Sequence, residues 1–484
     1  MAFDLRVLRQ IGAVLYEIPT SFREEMRVPA RLYADATILE AAAQDESLEQ
    51  LANVAWLPGI VGYALAMPDI HQGYGFPIGG VAATDTRDGV ISPGGVGYDI
   101  NCGVRLLSTN LDVGEVRAQL PALMDAITAA IPAGLGREGS ISLQKGGLTE
   151  AMEGGAQWAV GAGYGEREDV EHCEERGRMA GAGAGAVSVK ARERGRDQLG
   201  TLGSGNHFVE LGEVAEVYDE KSADAFGLRP GQLVLQVHSG SRGLGHQVCT
   251  DSVRRFQDVA RREGYKLPDR ELVCAPLQSE EGQEYLAAMS AAANFAWANR
   301  QIMTHMLRRA LENVLAGGAR RMRLKVVYDA AHNVAKLERH EVGGRPLELC
   351  VHRKGATRAF PPGHPAVPED YRAVGQPVLV PGDMGTASYV LRGTETAMRE
   401  SFGSCCHGAG RKLSRAAAKR QVNAQELRQR LESLGIIVRA GSNAGLAEEA
   451  PDAYKDIHRV VDVVHSAGLA LRVAQLRPVG VMKG

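Results

Sequence analysis

Aromatic residues are scarce in this chain, at 5% of the sequence, which leaves little material for the broad stacking surfaces of single-strand nucleic-acid folds. Charge of either sign is not in excess. The net value is −3, so a polycationic coat is excluded and any contact with RNA or DNA has to be local. The seven cysteines show neither a CxxC pair nor disulfide spacing. The N-terminus, Met1 to Arg6, has no signal-peptide core. The uncharged stretch Leu51 to Pro68 contains Asn53, Pro58 and Gly59 and makes a poor membrane span. These absences predict a cytoplasmic protein with reduced thiols and no membrane contact.

Three nucleotide devices are also missing. No Gly-x-x-x-x-Gly-Lys-Ser/Thr occurs, which excludes P-loop chemistry. The nearest approach to a dinucleotide fingerprint, Gly181 to Ala186, lacks a clear preceding strand and reads as a flexible loop. None of the eleven lysines lies in Lys-x-Asp-Gly, the setting of lysine-based nucleotidyl transferases. A nucleotidyl group carried covalently would therefore have to sit on histidine.

Glycine is abundant instead, with 58 residues clustered around polar motifs. Such loops let backbone approach a ligand closely. Apolar periodicity predicts helices over 36–55, 111–131, 279–316, 412–434 and 450–468. Short β-like runs lie at 233–237, 324–328 and 347–351, while 146–205 reads as loops and short helices around an acidic patch, Glu166 to Glu175. Strands and helices do not alternate regularly. The expected class is α+β, with residues 1–484 forming one large intertwined catalytic domain in which helices surround central β-sheets. Two basic runs, Arg308, Arg309, Arg320, Arg321, Arg323, Lys325 and Arg411, Lys412, Arg415, Lys419, Arg420, read as solvated helix faces.

His407 stands in Ser404-Cys405-Cys406-His407-Gly408-Ala409-Gly410-Arg411. Its imidazole is beside glycine backbone that can approach an anion, and Arg411 offers a planar cation suited to phosphate oxygens. Four further motifs carry metal-type side chains at the ends of apolar runs. They are Asp99 and Cys102 in Gly97 to Arg105, His207 in Gly203 to Glu210, His238 before Ser239-Gly240-Ser241-Arg242, and His332 in Asp329 to Asn333. Loops at strand ends are where rigid scaffolds present chemistry. One Asp, one Cys and three His exceed a tetrahedral zinc site, which points to two metals sharing a ligand, with the Cys102 thiolate the natural bridge. The mixed donor set admits zinc, manganese, iron or cobalt.

Taken together these motifs resemble the RtcB family of RNA-splicing ligases over nearly the whole chain. The resemblance rests on Met67 to Gly80, Asp99 to Arg105, Gly205 to Glu210, His238 to Gly243, His332-Asn333, His352 to Arg358, Pro381 to Ser388, the His407 motif and Val479 to Gly484. Cys405 departs from it, since serine or threonine is expected there. The resemblance implies a GTP- and Mn²⁺-dependent ligase with two Mn²⁺ per chain, joining an RNA 3′-phosphate or 2′,3′-cyclic phosphate to a 5′-hydroxyl in tRNA splicing or RNA repair. It implies guanylylation of His407, and an RNA-ppG intermediate. Asp99, Cys102 and His207 would hold one metal, and Cys102, His238 and His332 the other. The guanylate would be held by Asn206, His207, Phe208, Val209, Glu210, His332, Asn333, Pro381, Gly382, Asp383, Met384, Ser388, His407, Gly408, Ala409, Gly410 and Lys483. Archease is an admissible activating partner. Two other readings compete: a binuclear metallohydrolase of phosphate esters, which would not need His407 or Lys483, and a non-catalytic RNA-binding protein.

Overall fold

The computed structural model describes residues 3–134, 136–139, 141, 143–144, 146–315 and 322–484. Two large sheets organise it. The first has seven strands in the order Arg9–Gln10, Leu15–Ile18, Ala30–Tyr33, Ala64–Tyr74, Phe76–Asp85, Arg345–Lys354, Asn333–Val342. The second has eight strands, seven of which form an antiparallel row: Lys325–Ala331, Gly103–Asp112, Gln232–Ser239, Phe208–Val217, Ala470–Lys483, Ser388–Gly393, Pro377–Val380. Its eighth, Ile437–Ala440, runs parallel to the C-terminal strand. Strands of the two sheets interleave in sequence, and a single residue, His332, lies between Lys325–Ala331 of one and Asn333–Val342 of the other.

Period-two alternation explains how the second sheet is covered on both faces. Leu107, Val209, Leu211, Leu235 and Val237 pack with helix residues Leu123, Ile127, Met303 and Leu307. Their neighbours Leu106, Val214 and Val234 pack on the other face with Phe226, Tyr371 and Val390. The helix Glu280–Val314 begins where its sequence says it should, with the Ser279 hydroxyl accepting from Gly282 N and Glu280 and Glu281 in the first turn. Its middle is buried nearly all round, including Asn294, Asn299, Arg300, Gln301 and Thr304. Polar side chains so placed must find partners, and theirs lie under the candidate site.

Several expected helices are shorter or split. The 36–55 stretch is two helices, Ala36–Ala42 and Ser47–Val54, because the Asp45 carboxylate accepts from Ser47 N and opens the chain between them. Asn423 likewise caps Ala424–Ser433 and separates it from Arg415–Gln421. Residues 111–112 belong to a strand, and the last helix is confined to Ile457–Ser466 behind the Asp456 cap. The predicted end of the long helix at Ala316, and Arg320 and Arg321 of the first basic run, lie outside the described residues. Elsewhere these runs are held by internal partners: Arg308 by Asp169, Arg415 and Lys419 by Glu448. Among the described residues no helix is long and apolar enough to cross a membrane.

Candidate metal centre and its neighbours

Five donor side chains arrive from one end of the second sheet. Ala331 pairs with Gly103, Gly103 with Ser239, and His238 with Phe208. Asp99, Cys102, His207, His238 and His332 therefore lie in or beside strand ends that register fixes next to one another. They form two triads sharing one residue, Asp99–Cys102–His207 and Cys102–His238–His332. Cys102 Sγ is 3.3 Å from His207 Nε2 and 3.2 Å from His238 Nε2. His238 Nε2 is 3.3 Å from His332 Nε2, and His207 Nε2 is 2.9 Å from Asp99 Oδ2.

Backbone contacts set two of the imidazole tautomers. His207 Nδ1 donates to Leu202 O at 3.0 Å and His238 Nδ1 to Asn206 O at 3.1 Å. Both Nε2 lone pairs then face other acceptors, the Asp99 carboxylate and the Cys102 sulfur. Such a crowd of lone pairs is short of donors, the Cys102 thiol apart, unless a cation stands among them, so this donor set fits metal ions. The Arg242 guanidinium lies 3.1 Å from His207 Nδ1, a contact that donates nothing once that nitrogen carries its proton. Burial opposes the charge of Asp99, but in the metal-free cluster a proton on His207 Nε2, shared with the carboxylate, holds it below the usual range, and a bound cation would take that proton's place. Burial and then the Asp99 charge push the Cys102 thiol well above its usual value. A bound dication would reverse that preference and favour the thiolate.

Beneath the donors the long helix supplies a polar foundation. Arg300, fully buried, donates from Nη1 to Asn101 O at 2.8 Å and Ser239 O at 2.9 Å, and from Nη2 to Asn101 Oδ1 at 3.1 Å. It thus grips the residues beside Cys102 and His238. Asp329 answers the charges of Arg300 and Arg105, at 2.7 Å each. Asn101, at φ +50°, also donates to Ala293 O. Asp329→Asn should destabilise the fold by roughly 3–5 kcal/mol, because it leaves two buried guanidinium groups short of a counter-charge. Urea unfolding of the apoprotein checks this, and a change below about 1 kcal/mol would refute it.

His407 follows the short strand Ser404–Cys406, which pairs with Ala356–Arg358. Its Nδ1 donates to Asp69 Oδ2 at 2.6 Å, and the same oxygen accepts from His407 N at 2.9 Å and Gly408 N at 3.3 Å. Nε2 is left outside that bond, with its lone pair free. The His407 and His332 ring centroids are 4.9 Å apart, so the imidazole borders the second triad. Gly410, at φ +72°, lets the chain pass Asp69 where a Cβ would meet Asp69 O at 2.2 Å. Lys455 reaches across to the carbonyls of Pro68 and Ile70 on either side of Asp69. Nothing in the sequence singles out Asp69 for a role, although it stands within the motif Met67 to Gly80. Arg411, expected to offer its cation to phosphate, is instead engaged by Glu449 at 3.1 Å and by Glu448 O at 2.8 Å, because buried Glu449 requires a counter-charge.

The residues expected to hold a nucleotide fall into two groups. Phe208, Glu210 and Lys483 share one face, since Lys483 pairs with Phe208 and Val481 with Glu210. The Lys483 ammonium lies 5.0 Å from the Phe208 ring centroid. Glu210 accepts from Gln236 Nε2 at 2.9 Å. Burial lowers the Lys483 pKa against the pull of Glu449, Glu210 and Asp383. Asn206 is joined to the cluster through His238, and Asn333 accepts from Gly355 N and donates to Asp99 O. The Pro381 carbonyl accepts from Ala409 N at 3.1 Å, and Gly382 N donates to Ser388 Oγ at 3.2 Å, which joins that loop to Gly408 and Gly410. Asp383 accepts from Gly385 N and Thr386 Oγ1. Two side chains turn elsewhere: Val209 sinks into the core beside Met482, and Met384 packs with Leu431 and Val481.

Comparison with known proteins places this chain in a group. The sequence model of a family described as "tRNA-splicing ligase RtcB" matches residues 50–484. A protein named tRNA-splicing ligase RtcB from Thermococcus kodakarensis is 58% identical over 477 residues, 99% of each chain. Proteins of the same name are 54% identical over 478 residues in Archaeoglobus fulgidus and 48% over 478 residues in Nanoarchaeum equitans, again covering 99% of each chain.

Proposed function

Because the chain belongs to the RtcB family of tRNA-splicing ligases, we propose that it is an RNA ligase joining a 3′-phosphate or 2′,3′-cyclic phosphate end to a 5′-hydroxyl end, through a guanylylated His407. The observation that carries this reading is the imidazole braced by Asp69, with its ring 4.9 Å from that of His332. A binuclear hydrolase would need the triads but not this histidine. Residues 1–484 are taken as one catalytic unit, which the interleaving of the two sheets in sequence supports.

In this reading Asp69 keeps the proton on Nδ1, so that Nε2 presents its lone pair. Nε2 attacks the α-phosphorus of GTP, a nitrogen–phosphorus bond forms, and pyrophosphate leaves. Water first opens a cyclic end to a 3′-phosphate, whose oxygen displaces His407 and takes the GMP. The RNA 5′-hydroxyl then attacks the activated phosphorus, loses its proton and expels GMP. Two Mn²⁺, held by Asp99, Cys102 and His207 and by Cys102, His238 and His332, would offset phosphate charge when bound. Phe208, Glu210, Asp383, Ser388 and Lys483, with the backbone of Asn206, Val209, Asn333, Pro381, Gly382, Met384 and Gly408 to Gly410, would receive the guanylate. Incubation with α-labelled GTP and Mn²⁺ tests the reading. The expected product is a covalent adduct that is labile in acid and stable in alkali, as a phosphoramidate is. No adduct would overturn it.

Glu210 gives the GTP site a pH signature. Burial pushes its carboxyl up to about 8, against the charge of Lys483 and the Gln236 hydrogen bond. A neutral acid therefore predominates below that pH and a carboxylate above it. Guanine offers N–H donors along its edge and is matched by the carboxylate. The KM for GTP should fall as pH rises, by up to about tenfold per unit below about pH 8, then level off. The ratio of KM in Glu210→Gln to KM in the parent cancels titration of GTP and Mn²⁺. That ratio should rise across the same window, and a flat ratio would remove Glu210 from the guanine edge.

A further inference from the structure

Among so few aromatic residues, one row lies beside the metal centre. Tyr74 is 63% exposed. Its ring meets Tyr98 edge-on, with centroids 5.7 Å apart at 88°. Tyr98 in turn lies 4.9 Å from the exposed ring of His246, tilted by 33°. Single exposed aromatics are ordinary, but this one has an anchored mount. Gln50 both donates to Gly73 O, at 2.9 Å, and accepts from Gly73 N, at 3.0 Å. Lys354 Nζ donates to Tyr74 O at 2.7 Å and Phe76 O at 2.9 Å. Gly75, at φ +67°, brings the hairpin tip so close to Glu271 that a Cβ would meet its carbonyl carbon at 2.4 Å. Tyr98 is itself tethered, its hydroxyl donating to Glu271 Oε1 at 3.4 Å.

The row joins the proposed reaction centre along the chain. Tyr98 precedes Asp99, and Asp99 is the donor that reaches solvent, with 30% of its side chain exposed, while the other four are buried. At the far end Arg194 Nη1 lies 3.5 Å from His246 Nδ1, placing an exposed cation beside the last ring. An open aromatic face on a rigid tip, a metal cluster at one end and a guanidinium at the other match a nucleobase flanked by phosphates.

We propose that Tyr74, with Tyr98 and His246 behind it, is a stacking shelf for the terminal nucleobase of the RNA strand whose end enters the metal cluster. This rests on the ligase reading above. The 5% aromatic content still excludes an extended platform.

The test is fluorescence anisotropy of short labelled oligoribonucleotides on the Mn²⁺-loaded protein without GTP, so that no joining occurs. One arm uses a 3′-phosphate strand and the other a 5′-hydroxyl strand. Tyr74→Ala should weaken binding of at least one of them roughly five- to hundredfold, and Tyr74→Phe should restore it. The same strand lacking its terminal base should bind the parent as weakly as the intact strand binds Tyr74→Ala, with no further loss on combining the two changes. Equal affinities of parent and Tyr74→Ala for both intact strands overturn the shelf. Equal losses for intact and base-less strands overturn it too, as does failure of the parent to bind either. The labelled-GTP adduct involves no RNA base, so its absence would overturn the ligase reading independently of these affinities.

Discussion

His407→Ala is expected to form no adduct from α-labelled GTP and to lose sealing by at least about 10,000-fold, the scale on which removal of a covalent nucleophile is felt. Folding should survive, because the imidazole is tied through only one side-chain hydrogen bond, Nδ1 to Asp69. Metal content should survive as well, since His407 belongs to neither triad. Joining of a strand already activated as RNA-ppG should persist, because in the proposed sequence of steps the histidine acts only before that one. Asp69→Asn separates positioning from nucleophilicity. The amide keeps the shape but no longer secures the proton on Nδ1, and misdirected tautomers are worth up to about 10,000-fold in other braced histidines. Adduct formation in that variant should therefore fall steeply, with joining of RNA-ppG retained. A labelled His407→Ala protein would mean that another residue carries the guanylate. Loss of metal in either variant would mean that the phenotype speaks for the cluster instead.

The contrast between what was and was not legible beforehand has a physical basis. Each metal donor lies at the end of an apolar run beside small residues, so local pattern identified it, and strand register then did the assembling. Asp69 acts on a histidine 338 positions away from inside a buried strand, where nothing local distinguishes it from a structural carboxylate. Arg300 sits in an alanine-rich helix that periodicity finds easily, but periodicity does not say that its guanidinium ends on Asn101 and Ser239. The helix breaks at Asp45 and Asn423 were hidden for the opposite reason: they are local. A side chain that captures the next amides outcompetes an apolar repeat that continues across it. Arg411 shows the limit of motif chemistry. A guanidinium suits phosphate, but a buried carboxylate, here Glu449, suits it equally well and was already there.

Lys483 inverts a general rule about chain ends. A penultimate lysine is ordinarily a frayed, solvated charge, yet this one closes the strand Ala470–Lys483 in register with Phe208 and is buried. The apolar residues before it, Val479, Val481 and Met482, sink into two different clusters and carry the ammonium with them. Burial opposes its charge and Glu449 foremost sustains it, an arrangement that makes the end of this strand part of the candidate site.

Cys102→Ser should be the most damaging change among the metal donors, and more so than Asp99→Asn. The two triads share Cys102 alone. Its sulfur lies 3.3 Å from His207 Nε2 on one side and 3.2 Å from His238 Nε2 on the other. Serine shortens the donor and replaces a thiolate with a hydroxyl that stays protonated at neutral pH, so both triads lose their anionic centre. Losing even an outer partner of a ligand typically weakens metal binding by about 10–100-fold, and loss of the bridge should reach at least the upper figure at both sites. Asp99→Asn touches one triad and keeps a carbonyl oxygen as donor, so one site should weaken and the other hold. Mn²⁺ titration followed by electron paramagnetic resonance reads the two sites directly, without recourse to activity. Full occupancy of two Mn²⁺ in Cys102→Ser would defeat the bridging assignment. Loss of both ions in Asp99→Asn would show instead that the carboxylate, the one donor open to solvent, governs entry to the whole cluster.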